Sequence, residues 1–234
     1  MTTGDESLPK PSTDPKVKII FEAAVLTSLT VAVLSLFLFA WIGDGVAHDR
    51  TAGFDLAIRN QVHAFASPGL TRAMIFISFL GGDGLTAAAI ISVVVFGWLH
   101  WRRAMLWMVV TILGALVLDL SLKYAFHRTR PTPFFVSVPH TYSFPSGHSL
   151  FSFCFYGVLA GLLTRRIKSR VARFLIWTFA ALLVAAIGLS RIYLGVHYPS
   201  DVIAGYLAAS LWVSTLVALD RVRIRRKNAS GSEA

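Results

Sequence analysis

The sequence predicts an all-α integral membrane protein with six transmembrane helices and additional extracytoplasmic interfacial helices. Of its 234 residues, 55% are hydrophobic and only 15% are charged, and the mean hydropathy is +0.64. In a soluble domain, about a quarter of all residues are charged. The apolar residues are grouped in runs of about 17–25 residues, the length needed to cross a hydrocarbon core of roughly 30 Å.

The predicted spans follow these apolar runs. They cover approximately residues 19–43, 85–99, 104–126, 148–164, 174–190 and 202–219. Residues 1–18 are rich in Pro, Ser and Thr and are predicted to form a disordered cytoplasmic tail. Residues 19–220 then form the six-span domain, and residues 221–234 form a basic cytoplasmic tail.

The stretch between the first two spans is predicted to lie at the membrane interface. Residues 54–65 have the pattern of an amphipathic helix, with the apolar side chains near one face and polar ones such as Asp55 and Arg59 elsewhere. Residues 70–80 are few for a span and are followed by Gly81-Gly82-Asp83-Gly84, so we interpret them as interfacial or partly inserted.

An alternative makes residues 70–80 a seventh span, and the distribution of charge argues against it. With six spans, the N-terminal tail, residues 102–103, residues 165–173 and the C-terminal tail lie on one side and hold 15 of the 22 Lys and Arg residues. The positive-inside rule makes this side cytoplasmic. It also accounts for the net charge of +10 without a nucleic-acid partner. Both termini are therefore predicted to be cytoplasmic in the inner or plasma membrane.

Three polar clusters stand at the ends of predicted spans on the extracytoplasmic face. They are K-Y-A-F-H-R-T-R-P (123–131), S-F-P-S-G-H (143–148) and S-R-I-Y-L-G-V-H-Y-P-S-D (190–201). Charged groups near a membrane are costly and usually functional. Lys123, Arg130 and Arg191 bring three positive charges to one face, and a phosphate would supply the missing negative charge.

Two histidines in these clusters add what anion binding alone does not require. One imidazole can attack phosphorus while the other donates a proton to the leaving oxygen, and His148 and His197 are the candidates. Asp201 follows His197 by four residues, so its carboxylate can orient that imidazole across a helical turn or through a cap. Ser146 and Gly147 open the fourth span, where backbone N–H groups and the helix dipole can also hold an anion.

The motifs resemble the three-part signature of the type 2 phosphatidic acid phosphatase superfamily. The matching residues are K-x6-R-P at 123–131, P-S-G-H at 145–148 and S-R-x5-H-x3-D at 190–201. That superfamily includes bacterial membrane lipid phosphatases and soluble vanadium haloperoxidases. The six-span layout favours the membrane branch.

The resemblance implies a role for each matching residue. His197 would be the nucleophile that forms a phosphohistidine, Asp201 would orient it, and His148 would be the general acid and then the base that activates water. The phosphate would be held by Lys123, Arg130, Arg191, Ser146 and the Gly147 amide. Asp119, one helical turn before Lys123, is a candidate partner for that ammonium. No metal or other cofactor is implied. Arg128 is not fixed by the signature, and we interpret it as a solvated loop residue.

We therefore expect a metal-independent phosphatase whose partners are the bilayer and a lipid-phosphate substrate. The candidate substrates are undecaprenyl diphosphate, phosphatidylglycerol phosphate and phosphatidic acid. A lipid A phosphatase or phosphotransferase, a non-catalytic lipid-phosphate binder or transporter, and a vanadate-dependent peroxidase are the alternatives. The two histidines count against a simple binder, and the six spans count against the peroxidase.

Overall fold

Helices make up the regular structure of the described part of the chain. The computed structural model describes residues 15–137 and 141–230, and the side chains of residues 22–137 and 141–225. These residues form eight helices and no strand, in agreement with the all-α prediction. The helices are α1 (Pro15–Ala47), α2 (Ala52–Ala64), α3 (Pro68–Phe79), α4 (Asp83–Trp98), α5 (Arg102–Phe126), α6 (Gly147–Thr164), α7 (Arg170–Tyr193) and α8 (Pro199–Ser230).

The described residues contain six helical stretches that are long and apolar enough to cross a membrane, and this number confirms the prediction. The stretches are Glu22–Ala47, Pro68–Trp98, Arg102–Phe126, Gly147–Thr164, Arg170–Tyr193 and Pro199–Arg225. The first helix begins at Pro15, so residues 15–18 of the predicted disordered tail are helical. Residues 1–14 and 231–234 of the two predicted tails lie outside the described residues.

The second span differs from its predicted form. Only the Leu80–Gly82 turn separates α3 from α4, and the two helices together make one candidate span of 31 residues. Backbone hydrogen bonds from Gly81 N to Ser78 O (3.0 Å) and from Gly82 N to Phe79 O (3.1 Å) close this turn. Residues 70–80 are therefore the first part of the second span rather than a separate interfacial segment, and they add no seventh span.

Helix α2 forms where the amphipathic pattern predicts it, but its charged side chains Asp55 and Arg59 point into the protein. Asp55 is 0% exposed and Arg59 is 8% exposed, whereas Phe54 and Leu56 are each 49% exposed. The buried charges have partners, because Asp55 pairs with Arg128 and the Arg59 guanidinium donates to backbone carbonyls of neighbouring loops. A buried charge is tolerated only with such compensation.

Helix α6 is the most enclosed of the candidate spans. Half of its 18-residue apolar window is buried, and it packs against α5, α7 and α8. Large apolar side chains on α1, α5 and α7 remain exposed, as expected for helices that face lipid. The central position of α6 brings the residues at its N-terminus into contact with the ends of its neighbours.

Candidate active site

The connection between α7 and α8 is a tight reversal that only a few residue types permit. Gly195 has a φ of +76°, and a Cβ at this position would lie 2.6 Å from Phe134 Cδ2. Pro199 then occupies the first position of α8, where its missing N–H costs no helical hydrogen bond. The two residues hold His197 in the turn between the helices.

His197 is held by one hydrogen bond at each ring nitrogen. Its Nε2 lies 2.9 Å from Arg130 Nη1, and its Nδ1 lies 3.3 Å from Asp201 Oδ2. A guanidinium can only donate, so Nε2 is the unprotonated acceptor and Nδ1 carries the proton that points at the carboxylate. The Asp201 carboxylate is itself fixed by the Tyr198 N–H at 2.9 Å. The ring is thus oriented with its Nε2 lone pair towards the cations.

Burial lowers the pKa of His197 to about 4. The side chain is 2% exposed, so the charged imidazolium would lose its hydration. Asp201 acts in the opposite direction, while Arg130 and Arg191 lower the pKa further. The imidazole is therefore neutral near pH 7, in the form that can act as a nucleophile.

The N-terminus of α6 lies against both α5 and α8. Ser146 donates its backbone N–H to Asp201 O at 2.9 Å. A Cβ added to Gly147 would lie 3.1 Å from Asp119 Oδ1 and 3.3 Å from Lys123 Nζ, so the absence of a side chain permits this close approach. Lys123 Nζ in turn lies 2.7 Å from Asp119 Oδ2. The second motif therefore contacts both the first and the third.

Arg191 and Arg130 complete a group of three cationic side chains with Lys123. Arg191 is buried and bonds through Nη1 to Ser78 Oγ of α3, while its Nε has no hydrogen-bond partner among the described residues. Arg130 also donates to Thr141 O at 2.8 Å. A buried guanidinium with an unused donor is suited to bind an anion.

The imidazole of His148 packs against the turn between α3 and α4. A Cβ added to Gly82 would lie 2.9 Å from His148 Nε2, and one added to Gly81 would lie 3.3 Å from His148 Cδ2. In the sequence, these glycines indicate only a break between two segments. Their second role, as a close wall for a candidate catalytic side chain, depends on a contact between distant parts of the chain.

The interpretation of Arg128 as a solvated loop residue is wrong. Its side chain is only 13% exposed, and its Nη1 lies 2.6 Å from Asp201 Oδ1. Its Nη2 lies 2.8 Å from Asp55 Oδ2. Desolvation of the two carboxylates requires a cation between them, and Arg128 supplies it. The sequence contained one indication of this contact, the charged residue Asp55 on α2. Its partner Arg128 is 73 positions away, so no local pattern joins the two.

Other proteins are similar to this chain in sequence and in fold. Residues 104–225 match the PAP2 superfamily. Phosphatidylglycerophosphatase B of Bacillus subtilis is 30% identical over 180 residues, which are 74% of this chain and 87% of that protein. Undecaprenyl-diphosphatase of Sulfolobus acidocaldarius is 28% identical over 177 residues, 73% of this chain and 80% of that protein.

A solved structure gives the same relationship. The crystal structure of a transmembrane PAP2-type phosphatidylglycerolphosphate phosphatase from Bacillus subtilis superposes with a TM-score of 0.73 at 26% identity. The match covers 82% of this chain and 96% of that one.

Proposed function

The chain is a phosphatase of the PAP2 superfamily, and on that premise we propose that it removes phosphate from a membrane lipid through a phosphohistidine intermediate. The observation that carries the proposal is the state of His197. The Nε2 lone pair of its neutral imidazole accepts from Arg130, which would transfer this hydrogen bond to a phosphoryl oxygen when the lipid phosphate binds, and Asp201 lies behind its protonated Nδ1. This is the arrangement that a nucleophilic imidazole requires.

In the first step, His197 Nε2 attacks the phosphorus of the bound lipid phosphate. The N–P bond forms as the P–O bond to the lipid breaks, and the departing oxygen takes a proton from His148. Positive charge develops on the phosphorylated ring, and the Asp201 carboxylate stabilises it through Nδ1–H. Lys123 and Arg191 hold the phosphoryl oxygens, whose negative charge they match.

In the second step, water attacks the phosphohistidine. His148 takes a proton from the water, the new P–O bond forms, and the electrons of the N–P bond return to His197 Nε2. Inorganic phosphate leaves, and both rings regain their starting protonation states. Arg130, Ser146 and the Gly147 amide complete the proposed phosphate site, and Asp119 positions the Lys123 ammonium.

The proposed substrate is an amphiphile whose chains remain in the bilayer. The site lies at the C-terminal ends of α5 and α7 and at the N-terminal ends of α6 and α8, beside helices whose exposed surfaces are apolar. The basic segments at the other ends of the spans support a cytoplasmic location for the termini and an extracytoplasmic location for the site. The names of the relatives support phosphatidylglycerol phosphate and undecaprenyl diphosphate as first candidates, with phosphatidic acid as a third.

Release of phosphate by the detergent-purified protein tests this function. The assay contains no divalent metal and presents undecaprenyl diphosphate, phosphatidylglycerol phosphate, phosphatidic acid and lipid A in separate reactions. Release from one of the first three lipids supports the proposal, and preference for lipid A would point to a lipid A phosphatase. Tight binding of a lipid with no release from any would indicate a non-catalytic binder.

The low pKa of His197 predicts an unusual acid limb in the pH profile. The nucleophile is lost when the ring is protonated, so kcat/KM is expected to fall with an apparent pKa of about 4 rather than near the ordinary value of about 6.5. Phosphate release from a short-chain lipid phosphate, measured between about pH 3.5 and 8, gives this limb. An acid limb near the ordinary value would contradict the assignment.

Unfolding must be followed in the same pH series. Unfolded His197 binds a proton below about pH 6.5, whereas the folded residue does so only below about 4. The unfolded state therefore holds more protons between these values, and the stability contributed by the neutral ring is lost as the pH falls through that window. Tryptophan fluorescence at each pH separates this loss from inhibition.

A methyl group at Gly82 is expected to displace the proton donor. In Gly82→Ala the new Cβ would lie 2.9 Å from His148 Nε2, so the ring must move, and we expect kcat to fall about 10- to 100-fold. Binding of inorganic phosphate should change little, because the cations are untouched. Gly69→Ala is the control, since a Cβ there meets nothing within 4 Å. Equal activity of the two variants would refute the proposed role of the turn.

A further inference from the structure

Asp55 is a fully buried carboxylate on α2, outside all three motifs. Its Oδ1 accepts the Ser200 backbone N–H at 2.9 Å, and its Oδ2 accepts the Ser200 hydroxyl at 2.7 Å and Arg128 Nη2 at 2.8 Å. An isolated buried carboxylate is strongly unfavourable, so the complete set of donors is what allows Asp55 to remain in this place.

Ser200 is in the first turn of α8, whose leading N–H groups have no partner within the helix. By accepting the Ser200 N–H, Asp55 caps α8 from another helix. The next residue of α8 is Asp201, the partner of His197. Asp55 thus fixes the backbone from which Asp201 projects.

Arg128 connects the same two carboxylates through its side chain. Nη1 binds Asp201 Oδ1 at 2.6 Å and Nη2 binds Asp55 Oδ2 at 2.8 Å, while the guanidinium carbon lies 4.2 Å from the centre of the Tyr198 ring. The planar, rigid fork of a guanidinium suits this bridging geometry. Because Arg128 occupies Oδ1, the other oxygen of Asp201 is left to face His197 Nδ1.

We propose that Asp55 is a positioning residue for the reaction, acting through Arg128 and the first turn of α8 to aim Asp201 at His197. The inference rests on the proposed function of His197. Asp55 is not placed among the groups that bind phosphate. In this role, Asp55 keeps the nucleophile His197 aligned only while α2 is packed against the α7–α8 connection.

The variant Asp55→Asn tests this role with little change of shape. An amide has only one acceptor oxygen and no negative charge, so its NH2 group must face either the Ser200 backbone N–H or both the Ser200 hydroxyl and the Arg128 guanidinium, and the ion pair with Arg128 is lost in either orientation. Arg128 is then less firmly held and Asp201 can rotate. We expect kcat to fall about 10- to 100-fold, because the nucleophile is misplaced, with KM for the lipid within about 3-fold of wild type.

A purely structural role would not produce a selective loss of nucleophile alignment. Inhibition by orthovanadate, which takes the imidazole nitrogen as a fifth ligand, reports alignment of His197. Competitive inhibition by inorganic phosphate reports the cations alone. In Asp55→Asn the vanadate inhibition constant should rise in parallel with the loss of kcat, while the phosphate constant stays unchanged.

Two further variants sharpen the comparison. Asp44→Asn is the matched control, since Asp44 is an exposed carboxylate in ion pairs with His48 and Arg50 at the same end of the bundle. It should keep wild-type activity. The double variant Asp55→Asn/Arg128→Gln should lose no more kcat than the worse single variant, because both residues act on Asp201.

Three results would overturn the inference. They are an unchanged kcat in Asp55→Asn, equal weakening of vanadate and phosphate inhibition together with a lower thermal midpoint, and additive losses in the double variant. His197→Ala in the same assays separates this failure from that of the proposed function. If His197→Ala is inactive and Asp55→Asn is normal, only the inference fails. If the wild type releases no phosphate from any lipid, the ratio of vanadate to phosphate binding still decides the role of Asp55.

Discussion

Replacement of His197 with alanine is expected to lower kcat by about 10⁴-fold or more, because no other group takes over the formation of the covalent intermediate. The three cations remain in place, so inhibition by inorganic phosphate should stay within about 3-fold of wild type. Phosphate release from the preferred lipid, together with the phosphate inhibition constant, measures both effects. The expected pattern is loss of turnover without loss of anion binding.

His48→Ala is the control for this experiment. His48 is an exposed histidine near the end of α1 that pairs with Asp44, and no step of the mechanism uses it. It should retain full turnover. If His197→Ala kept more than about a tenth of wild-type kcat, His197 could not be the nucleophile, and the site would require another reaction path.

Replacement of His148 with asparagine is the second large effect. We expect kcat to fall by about 10²- to 10⁴-fold for phosphatidic acid, whose glycerol oxygen is a poor leaving group that needs a proton. An aryl phosphate leaves without protonation, so its first step should be much less affected. The comparison of the two substrates at equal protein concentration tests His148 as the acid.

The aryl substrate also separates the two roles of His148. With the first step spared, the slow step in His148→Asn becomes attack of water on the phosphohistidine, and a burst of aryl alcohol should precede slow phosphate release. An equal loss for both substrates, without a burst, would show that His148 does not protonate the leaving group. His48→Asn provides the matched background.

The spans, and the residues that we propose to react, could be inferred from the sequence because each depends on local information. Hydropathy over about 20 residues identifies a span, and this was sufficient for the number of spans and for the approximate position of every span but the second. A site that transfers phosphate needs cations and a nucleophile. The three short motifs contain candidates for both, namely Lys123, Arg130, His148 and His197. The prediction failed for residues 70–80, because a three-residue turn joins α3 to α4 into one longer span.

The support around the reacting residues could not be predicted in the same way. Asp55 and Ser200 are 145 positions apart in the sequence. An amphipathic pattern alone does not indicate whether the polar face of a helix contacts water or a buried guanidinium. The sequence placed the apolar side of α2 towards an interface, and the structure shows that its polar side carries the specific contacts. Long-range pairing of charges is decided by tertiary packing, which no local pattern contains.

The most direct test of the central claim is the capture of phosphate on His197. The protein is mixed with lipid carrying ³²P at the reacting phosphate, quenched in alkaline denaturant where phosphohistidine survives, and digested for peptide mapping. We predict label on the peptide that contains His197 in the wild type and none in His197→Ala. With the aryl phosphate as substrate, the phosphohistidine should accumulate transiently to a higher level in His148→Asn than in the wild type. Steady phosphate release without label on this peptide at any time would contradict the covalent mechanism.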